Sequence, residues 1–335
     1  MELINNNKKI AIFLKIGLVL AIFAVLYQKG ALSISQSFSA FRNIQYISIV
    51  FLFLGIASTF SILRWQIILK SKNVELPFIK AFQIKFIGNF FNLILPGAVS
   101  GDILKTFYLS KYSKSSKTKS LSSIFLDRII GVLGLVVVSG LGFLLFKSNF
   151  KSNIIINSIA ISLVITFIIL SCFFIYLLFI SQRFTFLDRL LEKITLKFPI
   201  LNPLFNIYKH FKEFSTNKGN FVSSLALSIL IHFLNAISFM YIAKAFDIHL
   251  NSLLPFLSLV PLGLLVTTIP ISPAGLGTGH AAYLYLFRLV QVERGADFYT
   301  IFISYFILTG MFLGGASYLL LKPDKNEILK AEEEL

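Results

Sequence analysis

The chain is short of charged residues. Only 14% of its 335 residues are Asp, Glu, Lys or Arg, whereas a soluble globular protein has about 25%. In contrast, 56% of the residues are hydrophobic and the mean hydropathy is +0.81. No polar stretch is long enough to fold as a separate soluble domain. The composition therefore predicts an integral membrane protein, with one polytopic membrane domain over residues 1–325 and a short charged tail over 326–335.

Cysteine and catalytic motifs are scarce as well. The single cysteine, Cys172, cannot form an intramolecular disulfide and argues against a thiolate metal site. The sequence has no D-x-D motif, His-rich cluster, G-x-S-x-G motif or G-K-[ST] loop, and a transferase needs a base, a nucleophile or a metal site. We therefore expect no catalytic residue, no metal and no cofactor. The sequence favours a transporter-like protein over an enzyme and leaves catalysis open.

Six apolar stretches are long enough to cross a membrane as helices. A spanning helix needs about 20 mostly apolar residues, because each adds about 1.5 Å across the hydrocarbon layer. The stretches lie near residues 10–27, 46–69, 121–146, 154–180, 221–246 and 299–321. The first could be read as a cleavable signal, but no convincing small-residue cleavage site follows it. We interpret all six as spanning helices of an all-α membrane protein.

The basic residues indicate how these helices are oriented. The chain has 31 Lys and Arg against 15 Asp and Glu, a formal net charge of +16. If the N-terminus is cytoplasmic, all the basic residues fall on the cytoplasmic side except Lys29, Arg42, Lys147, Lys151, Lys244, Arg288 and Arg294. Cytoplasmic loops are enriched in Lys and Arg. This predicts a multi-pass protein of the cytoplasmic membrane with both termini in the cytoplasm, and the excess charge indicates anionic lipid and not nucleic acid.

Two features of the cytoplasmic side have ordinary explanations. Arg64 and Trp65, at the end of the second span, are interpreted as a snorkelling side chain and an interfacial aromatic anchor. The loop 182–220 mixes seven basic residues with regularly spaced apolar ones, which predicts an amphipathic helix on the cytoplasmic leaflet.

Two further apolar segments, 81–110 and 252–291, are interrupted by turns rich in Pro and Gly. The apolar arms of the first are too short for two crossings, which predicts a re-entrant helical hairpin with its turn at 95–102. The second has longer arms around a turn at 270–280, so a re-entrant hairpin and two tilted spans both stay open. The first hairpin enters from the inside and the second from the outside. Opposed broken helices are compatible with an inverted repeat and a site near the membrane midplane. The prediction is thus about eight hydrophobic elements.

Broken backbone at membrane depth implies a cavity, and several polar residues surround the first turn. Asn89 and Asn92 share a helical face on the incoming arm. Asp102, at the start of the outgoing arm, could cap that helix or contact a ligand. The same helix N-terminus suits a phosphate, and Lys105 three residues later could add a point charge.

Other polar residues have two readings each. Asp127 and Arg128 begin the 121–146 span; they could fix topology, or Arg128 could pair with Asp102 or with a lipid phosphate. Three glycines between Pro273 and His280 would let backbone approach a ligand closely. His280 could bind a headgroup, relay a proton or be a structural donor, and for His232 we favour a bond between helices.

The segments "GNFFNLILPGAVSGDILKTFYL", "SSIFLDRIIGVLGL" and "TTIPISPAGLGTGHAAYLYLF" together resemble the lysylphosphatidylglycerol synthase transmembrane-region family, also called flippase-like membrane proteins. The resemblance extends along nearly the whole chain. It implies a lipid-translocating membrane region, without the cytoplasmic aminoacyl transferase domain of the bifunctional members. It also implies functional importance for a set of polar and turn positions: Asn89, Asn92, Pro96, Gly97, Gly101, Asp102, Asp127, Arg128, Pro273, Gly275 and Gly277. Many relatives have Glu or Gln near the position of His280, so the headgroup is not carried over.

The leading hypothesis is translocation of an anionic phospholipid or a polyprenyl-phosphate-linked substrate, with the headgroup between the two broken helices. Its binding residues would be Asn89, Asn92, Pro96, Gly97, Gly101, Asp102, Lys105, Asp127, Arg128, Ser272, Pro273, Gly275, Gly277 and His280. The alternatives are a membrane-embedded glycosyl or acyl transferase and an accessory subunit of a lipid or glycan biosynthetic pathway. A homo-oligomer and a biosynthetic enzyme partner both stay open.

Overall fold

The computed structural model describes residues 39–94, 100–113, 115–146, 186–198, 201–250, 252–269 and 275–321, together with Ser158, Ile165, Ile169 and Ser272. These residues form α-helices and their connections, with no strand among them. The helices are α1 (Ile44–Ser71), α2 (Phe78–Ile94), α3 (Ser100–Ser113), α4 (Lys117–Phe146), α5 (Phe186–Lys197), α6 (Asn202–Thr216), α7 (Lys218–Ala245), α8 (Leu254–Thr268), α9 (Thr278–Arg288), α10 (Gly295–Thr309) and α11 (Gly315–Leu321). The all-α prediction is confirmed.

Four of the predicted spans are confirmed as long apolar helices. They are α1, α4, α7 and the continuous segment Gly295–Leu321, and each is long and apolar enough to cross a membrane. In that last segment a π-helical turn, Gly310–Gly314, joins α10 to α11. The predicted spans at 10–27 and 154–180 lie outside the described residues, apart from isolated positions.

The two interrupted segments each fold as a pair of shorter helices. In the first, α2 has 17 residues and α3 has 14, and the two helices pack against each other. In the second, α8 has 15 residues, α9 has 11, and they also pack together. None of these helices reaches the roughly 20 residues of a spanning helix. This agrees with the short arms predicted for the first segment, and the arms of the second segment are shorter than the sequence predicted. The depth at which they lie in the bilayer and the inverted repeat stay predictions.

Aromatic side chains fill the contact between the long helices and the second pair. Phe239 of α7 stacks on Tyr283 of α9 with ring centroids 4.7 Å apart, and Tyr283 stacks on Tyr299 of α10 at 5.1 Å. All three rings are buried in one apolar cluster with parts of α1 and α8. A second cluster, which includes Trp65, Ile87 and Tyr108, joins α1 to α2 and α3. Each short pair is therefore fixed to the long helices by its own core.

The loop 182–220 contains two amphipathic helices, α5 and α6. Lys212 of α6 donates to Asp188 of α5 at 2.6 Å, and both side chains are largely buried. Phe214 of α6 is buried against α1, α4 and the start of α7, whereas Leu196 and Phe198 at the end of α5 are exposed. The structure has two helices here where the sequence predicted one, and contact with the cytoplasmic leaflet stays a prediction.

The crossing of α4 and α8 generates a first testable prediction. A Cβ atom at Gly142 would lie 2.6 Å from the carbonyl carbon of Leu257 and 2.7 Å from the nitrogen of Ser258. Since backbone cannot move aside cheaply, we expect Gly142→Ala to destabilise the protein by about 1–3 kcal/mol. The measurement is thermal unfolding in detergent micelles. Gly219→Ala is the control, because the nearest atom to its new Cβ is at 3.6 Å. Equal unfolding temperatures for the two variants would contradict this close backbone contact.

Candidate functional site

Ionisable side chains from four helices meet inside the bundle of α1 to α4. We call this group the charge cluster; its members are Arg64 on α1, Lys85 on α2, Asp102 and Lys105 on α3, and Asp127 and Arg128 on α4. Lys85 lies about 10 Å along α2 from its first residue, and Asp127 about 15 Å along α4. These two charges are therefore well inside their helices, whereas Asp102 lies in the first turn of α3.

Arg64 is buried, and its interpretation as a snorkelling side chain is wrong. Its exposed fraction is 6%, its Nε donates to Asp127 at 2.8 Å, and its Nη1 donates to Ser228 of α7 at 2.6 Å. The neighbouring Trp65 is also buried, where its indole N–H donates to Ser123 of α4 at 3.4 Å. Both side chains thus hold helices together. The sequence contained a sign of this role, because Arg64 lies five residues before the end of an apolar span. An ionisable residue inside such a span is expected to have a partner.

Asp102 forms ion pairs with two cations, and its predicted pairing with Arg128 is confirmed. The Arg128 guanidinium is 2.5 Å from one carboxylate oxygen, and the Lys105 amine is 3.5 Å from the other. The Asp102 side chain is 6% exposed, whereas that of Arg128 is 46% exposed. A buried carboxylate requires such compensation. Asp102 therefore connects the first turn of α3 to α4.

The first helical pair packs closely because of two glycines. A Cβ at Gly101 would overlap the carbonyl oxygen of Gly88 and the side chain of Asn92, and a Cβ at Gly88 would overlap the Lys105 side chain. The N–H of Gly101 donates to Oδ1 of Asn92 at 2.9 Å. Asn92 thereby caps the start of α3 from the end of α2. The intervening turn, including Pro96 and Gly97, lies outside the described residues.

A cavity of about 340 Å³ that carries several polar side chains adjoins the charge cluster. Asn89 and Asn92 line it, as expected from their shared face. Lys85 and Asn235, which were not predicted as site residues, line it too. The remaining lining residues are Ala57, Ser58, Ser61, Leu93, Ile231, Ile303 and Phe306. Lys85 and Ser61 also line a small void shared with Lys105 and Asp127, so Lys85 connects the cavity to the cluster.

Asn235 belongs to a stripe of polar residues on α7 that is recognisable in the sequence. Ser224, Ser228, His232 and Asn235 follow one another at helical spacing along the apolar helix α7, and all are buried. Nε2 of His232 is 3.0 Å from the carbonyl oxygen of Gly131 on α4, which confirms the predicted bond between helices. The stripe therefore faces α4 and the cavity.

The predicted site residues of the second helical pair lie away from the charge cluster. Gly275 and Gly277 have positive φ angles of 73° and 80°, and a Cβ at Gly275 would lie 2.8 Å from the hydroxyl oxygen of Tyr299. Protein atoms thus occupy the space beside Gly275. His280 is buried, its Nδ1 accepts from the N–H of Gly277 at 3.3 Å, and its ring packs edge-on against Tyr299.

Ser272 contacts the hydroxyl of Thr278 at 2.9 Å, and Pro273 lies outside the described residues. None of the described residues of this second turn lines the cavity beside Lys85. The predicted site residues of α2, α3 and α4 that the structure describes thus lie together in one region. The described residues of the second turn lie apart from it. Within the same residues no three His, Cys, Asp or Glu side chains are grouped as a metal site.

The charge cluster carries more positive than negative formal charge. Arg64, Lys85, Lys105 and Arg128 face two carboxylates, Asp102 and Asp127. The formal excess is two positive charges: Lys105 and Arg128 share Asp102, and Lys85 forms no ion pair with a carboxylate of the described residues. An excess of this sign beside a polar cavity favours an anionic ligand.

Long apolar helices around a buried polar site define this chain as a multi-pass integral membrane protein of the helical class. The chain belongs to the lysylphosphatidylglycerol synthase TM region family, whose model matches residues 10–314. It is similar to a UPF0104 membrane protein of Pyrococcus horikoshii, with 25% identity over 270 residues, which cover 75% of this chain and 79% of that protein. A UPF0104 membrane protein of Methanocaldococcus jannaschii is 26% identical over 249 residues, covering 71% of this chain and 99% of its own length.

The Arg64–Asp127 pair generates the prediction for this site. Removing one partner leaves a buried charge without compensation, so we expect Arg64→Gln or Asp127→Asn to lower the free energy of unfolding by about 3–5 kcal/mol. The double variant should be less destabilised than the sum of the two, because it leaves neither charge alone. Unfolding in mixed micelles measures both effects. Arg288→Gln is the control, since its ion pair with Glu293 is exposed and should contribute no more than about 1 kcal/mol. Additive effects of the single changes would contradict the pairing.

Proposed function

We propose that this protein translocates an anionic phospholipid or a polyprenyl-phosphate-linked lipid across the cytoplasmic membrane. The observation that carries the proposal is the polar cavity lined by Lys85, Asn89, Asn92 and Asn235, which adjoins a charge cluster with two excess positive charges. A free headgroup would have to bring its charge into hydrocarbon, which costs several kcal/mol. A polar, positively charged cavity between helices reduces that cost while the lipid tails stay in the membrane.

The position of each residue suggests its role in binding the headgroup. Asn89 and Asn92 contact the headgroup from α2, and Asp102 holds Lys105 and Arg128 close to it. Arg128 is half exposed on α4 and could meet a phosphate as it enters. In this proposal Pro96, Gly97 and Gly101 shape the first turn, and Ser272, Pro273, Gly275, Gly277 and His280 shape a second turn that faces the headgroup at another stage of transport.

Lipid movement in reconstituted vesicles tests the proposal. We expect the purified protein to accelerate the exchange of labelled phosphatidylglycerol or labelled polyprenyl phosphate between leaflets, because both carry the anionic group that the cavity favours. The measurement is the fraction of label that a membrane-impermeant quencher destroys over time, compared with protein-free vesicles.

Two variants sharpen that test. Asn89→Ala should slow the exchange, since it removes a polar group from the cavity, whereas Lys119→Gln removes an exposed charge at the start of α4 and should not. Equal amounts of folded protein must be reconstituted in each case. Unchanged exchange for every anionic lipid tested would exclude translocation, and turnover of a polyprenyl-linked sugar donor by the same preparation would favour the transferase instead.

We also propose that both termini face the cytoplasm, and the ends of α7 allow this to be tested. Asn217 precedes the helix and His249 follows it, and both are exposed. In a Cys172→Ser background, Asn217→Cys should react with a membrane-impermeant thiol reagent only after the cells are opened. His249→Cys should react in intact cells or spheroplasts. The reverse pattern would place the N-terminal end of α7 outside and overturn the orientation.

A further inference from the structure

Lys85 differs from the other cations of the charge cluster. Arg64 is paired with Asp127, and both Lys105 and Arg128 contact Asp102. The amine of Lys85 donates to the backbone carbonyl of Ser58 at 3.1 Å, and no carboxylate of the described residues forms an ion pair with it. Lys85 is therefore the cavity-lining cation that forms no ion pair within the described part of the chain, and Asp127 faces it only across the small void that they share.

Two amide side chains in the same cavity form no hydrogen bond within the described part of the chain. Asn235 is only 6% exposed, and Asn89 is partly buried; neither side chain makes a hydrogen bond to the other described residues. Both amides line the cavity, so their N–H donors are available to a polar ligand that enters it. A phosphate group has several strong acceptor oxygens and a negative charge, which match the amide donors and the amine together.

An apolar groove of about 470 Å³ meets this cavity at Ser58. It is lined mostly by aromatic and aliphatic side chains of α1 and α2, including Phe51, Phe60, Phe82 and Phe86. The hydroxyl of Tyr305, another lining residue, donates to the hydroxyl of Ser58 at 3.3 Å, at the boundary between groove and cavity. The cavity carries an amine and three amides, the groove carries mostly apolar side chains, and the two share a wall residue. Together they fit the two parts of one amphipathic molecule.

We propose that Lys85, Asn89 and Asn235 bind the phosphate of a lipid whose hydrocarbon chain lies in the groove between α1 and α2. The inference rests on the proposed function and names the residues that would recognise the substrate. Lys85 supplies the charge, the two amides supply directed hydrogen bonds, and the groove keeps the chain beside the cavity. Asp102 holds Lys105 and Arg128 in place, so these two cations attract the phosphate electrostatically without contacting it.

Binding to the purified full-length protein tests this site without requiring transport. Native mass spectrometry in detergent compares dioctanoyl phosphatidic acid with dioctanoylglycerol, which has the same chains and no phosphate. A parallel titration with inorganic phosphate tests whether a free anion suffices. We expect the wild-type protein to bind the phosphatidic acid more tightly than either of the other two.

The variants separate the phosphate from the chain. Lys85→Gln should weaken binding of the phosphatidic acid by about tenfold or more, since it removes a charged hydrogen-bond donor. The exposed Lys119→Gln is the charge-matched control and should bind as the wild type does. Gly55→Leu should fill part of the groove, because a Cβ there meets no atom closer than 3.8 Å, and it should weaken lipid binding but not phosphate binding.

Folding is checked by thermal unfolding of each variant, and Asn235→Leu gives a second variant of similar volume if Lys85→Gln does not fold. Unchanged binding of the phosphatidic acid by folded Lys85→Gln, or by folded Asn235→Leu, would overturn the phosphate site. Equally tight binding of dioctanoylglycerol would do the same, and equally tight binding of inorganic phosphate would overturn the lipid as its source.

The two proposals fail differently. If labelled lipids do not move in vesicles but binding depends on Lys85, translocation fails and the site stands. If Lys85→Gln moves lipids at the wild-type rate, the site fails and translocation stands.

Discussion

The pairing of charges inside an apolar bundle is the constraint on which this structure depends. Hydrocarbon and tightly packed protein offer little to solvate a charge, so each buried ionisable group needs a partner. Arg64 meets this need through Asp127 and Ser228, which connects α1 to α4 and α7. Asp102 meets it through Arg128 and Lys105 and fixes the first turn of α3 against α4. The short helices of the first pair are held in place by electrostatics as well as by their apolar core.

The same pairings also define the candidate site, because they leave one cation of the cluster without an ion pair among the described residues. The carboxylates of the cluster form ion pairs with Arg64, Arg128 and Lys105. Among the described residues, the amine of Lys85 donates to the carbonyl of Ser58, and Lys85 lines the cavity. Gly88 and Gly101 make this arrangement sterically possible, because side chains at either position would push α2 and α3 apart. Fold stability and the proposed anion recognition would thus be two consequences of one distribution of charge, in which the described residues pair most of the cluster's charges and leave Lys85 at the cavity.

The sequence predicted local features better than distant ones. Four spans and the interrupted helical pairs followed from the length of apolar runs and from Pro and Gly in the turns, which are properties of neighbouring residues. The pairing of Arg128 with Asp102 and the helix contact of His232 were also anticipated, because an ionisable or polar side chain in an apolar span must find a partner. Arg64, Lys85 and Asn235 were missed as members of the site. Their partners lie on other helices, at sequence separations that no spacing rule covers.

By itself the sequence determined that this is a helical membrane protein, which of its stretches are long enough to span, and which short segment carries the polar residues of the first turn. These conclusions follow from composition and from the fixed rise of a helix against the thickness of a bilayer. Only the tertiary structure decided which cation faces the cavity, because that depends on which carboxylate lies within reach after the helices pack. It moved the expected anion-binding charge from Lys105 and Arg128, which Asp102 holds, to Lys85, whose amine contacts only a backbone carbonyl among the described residues.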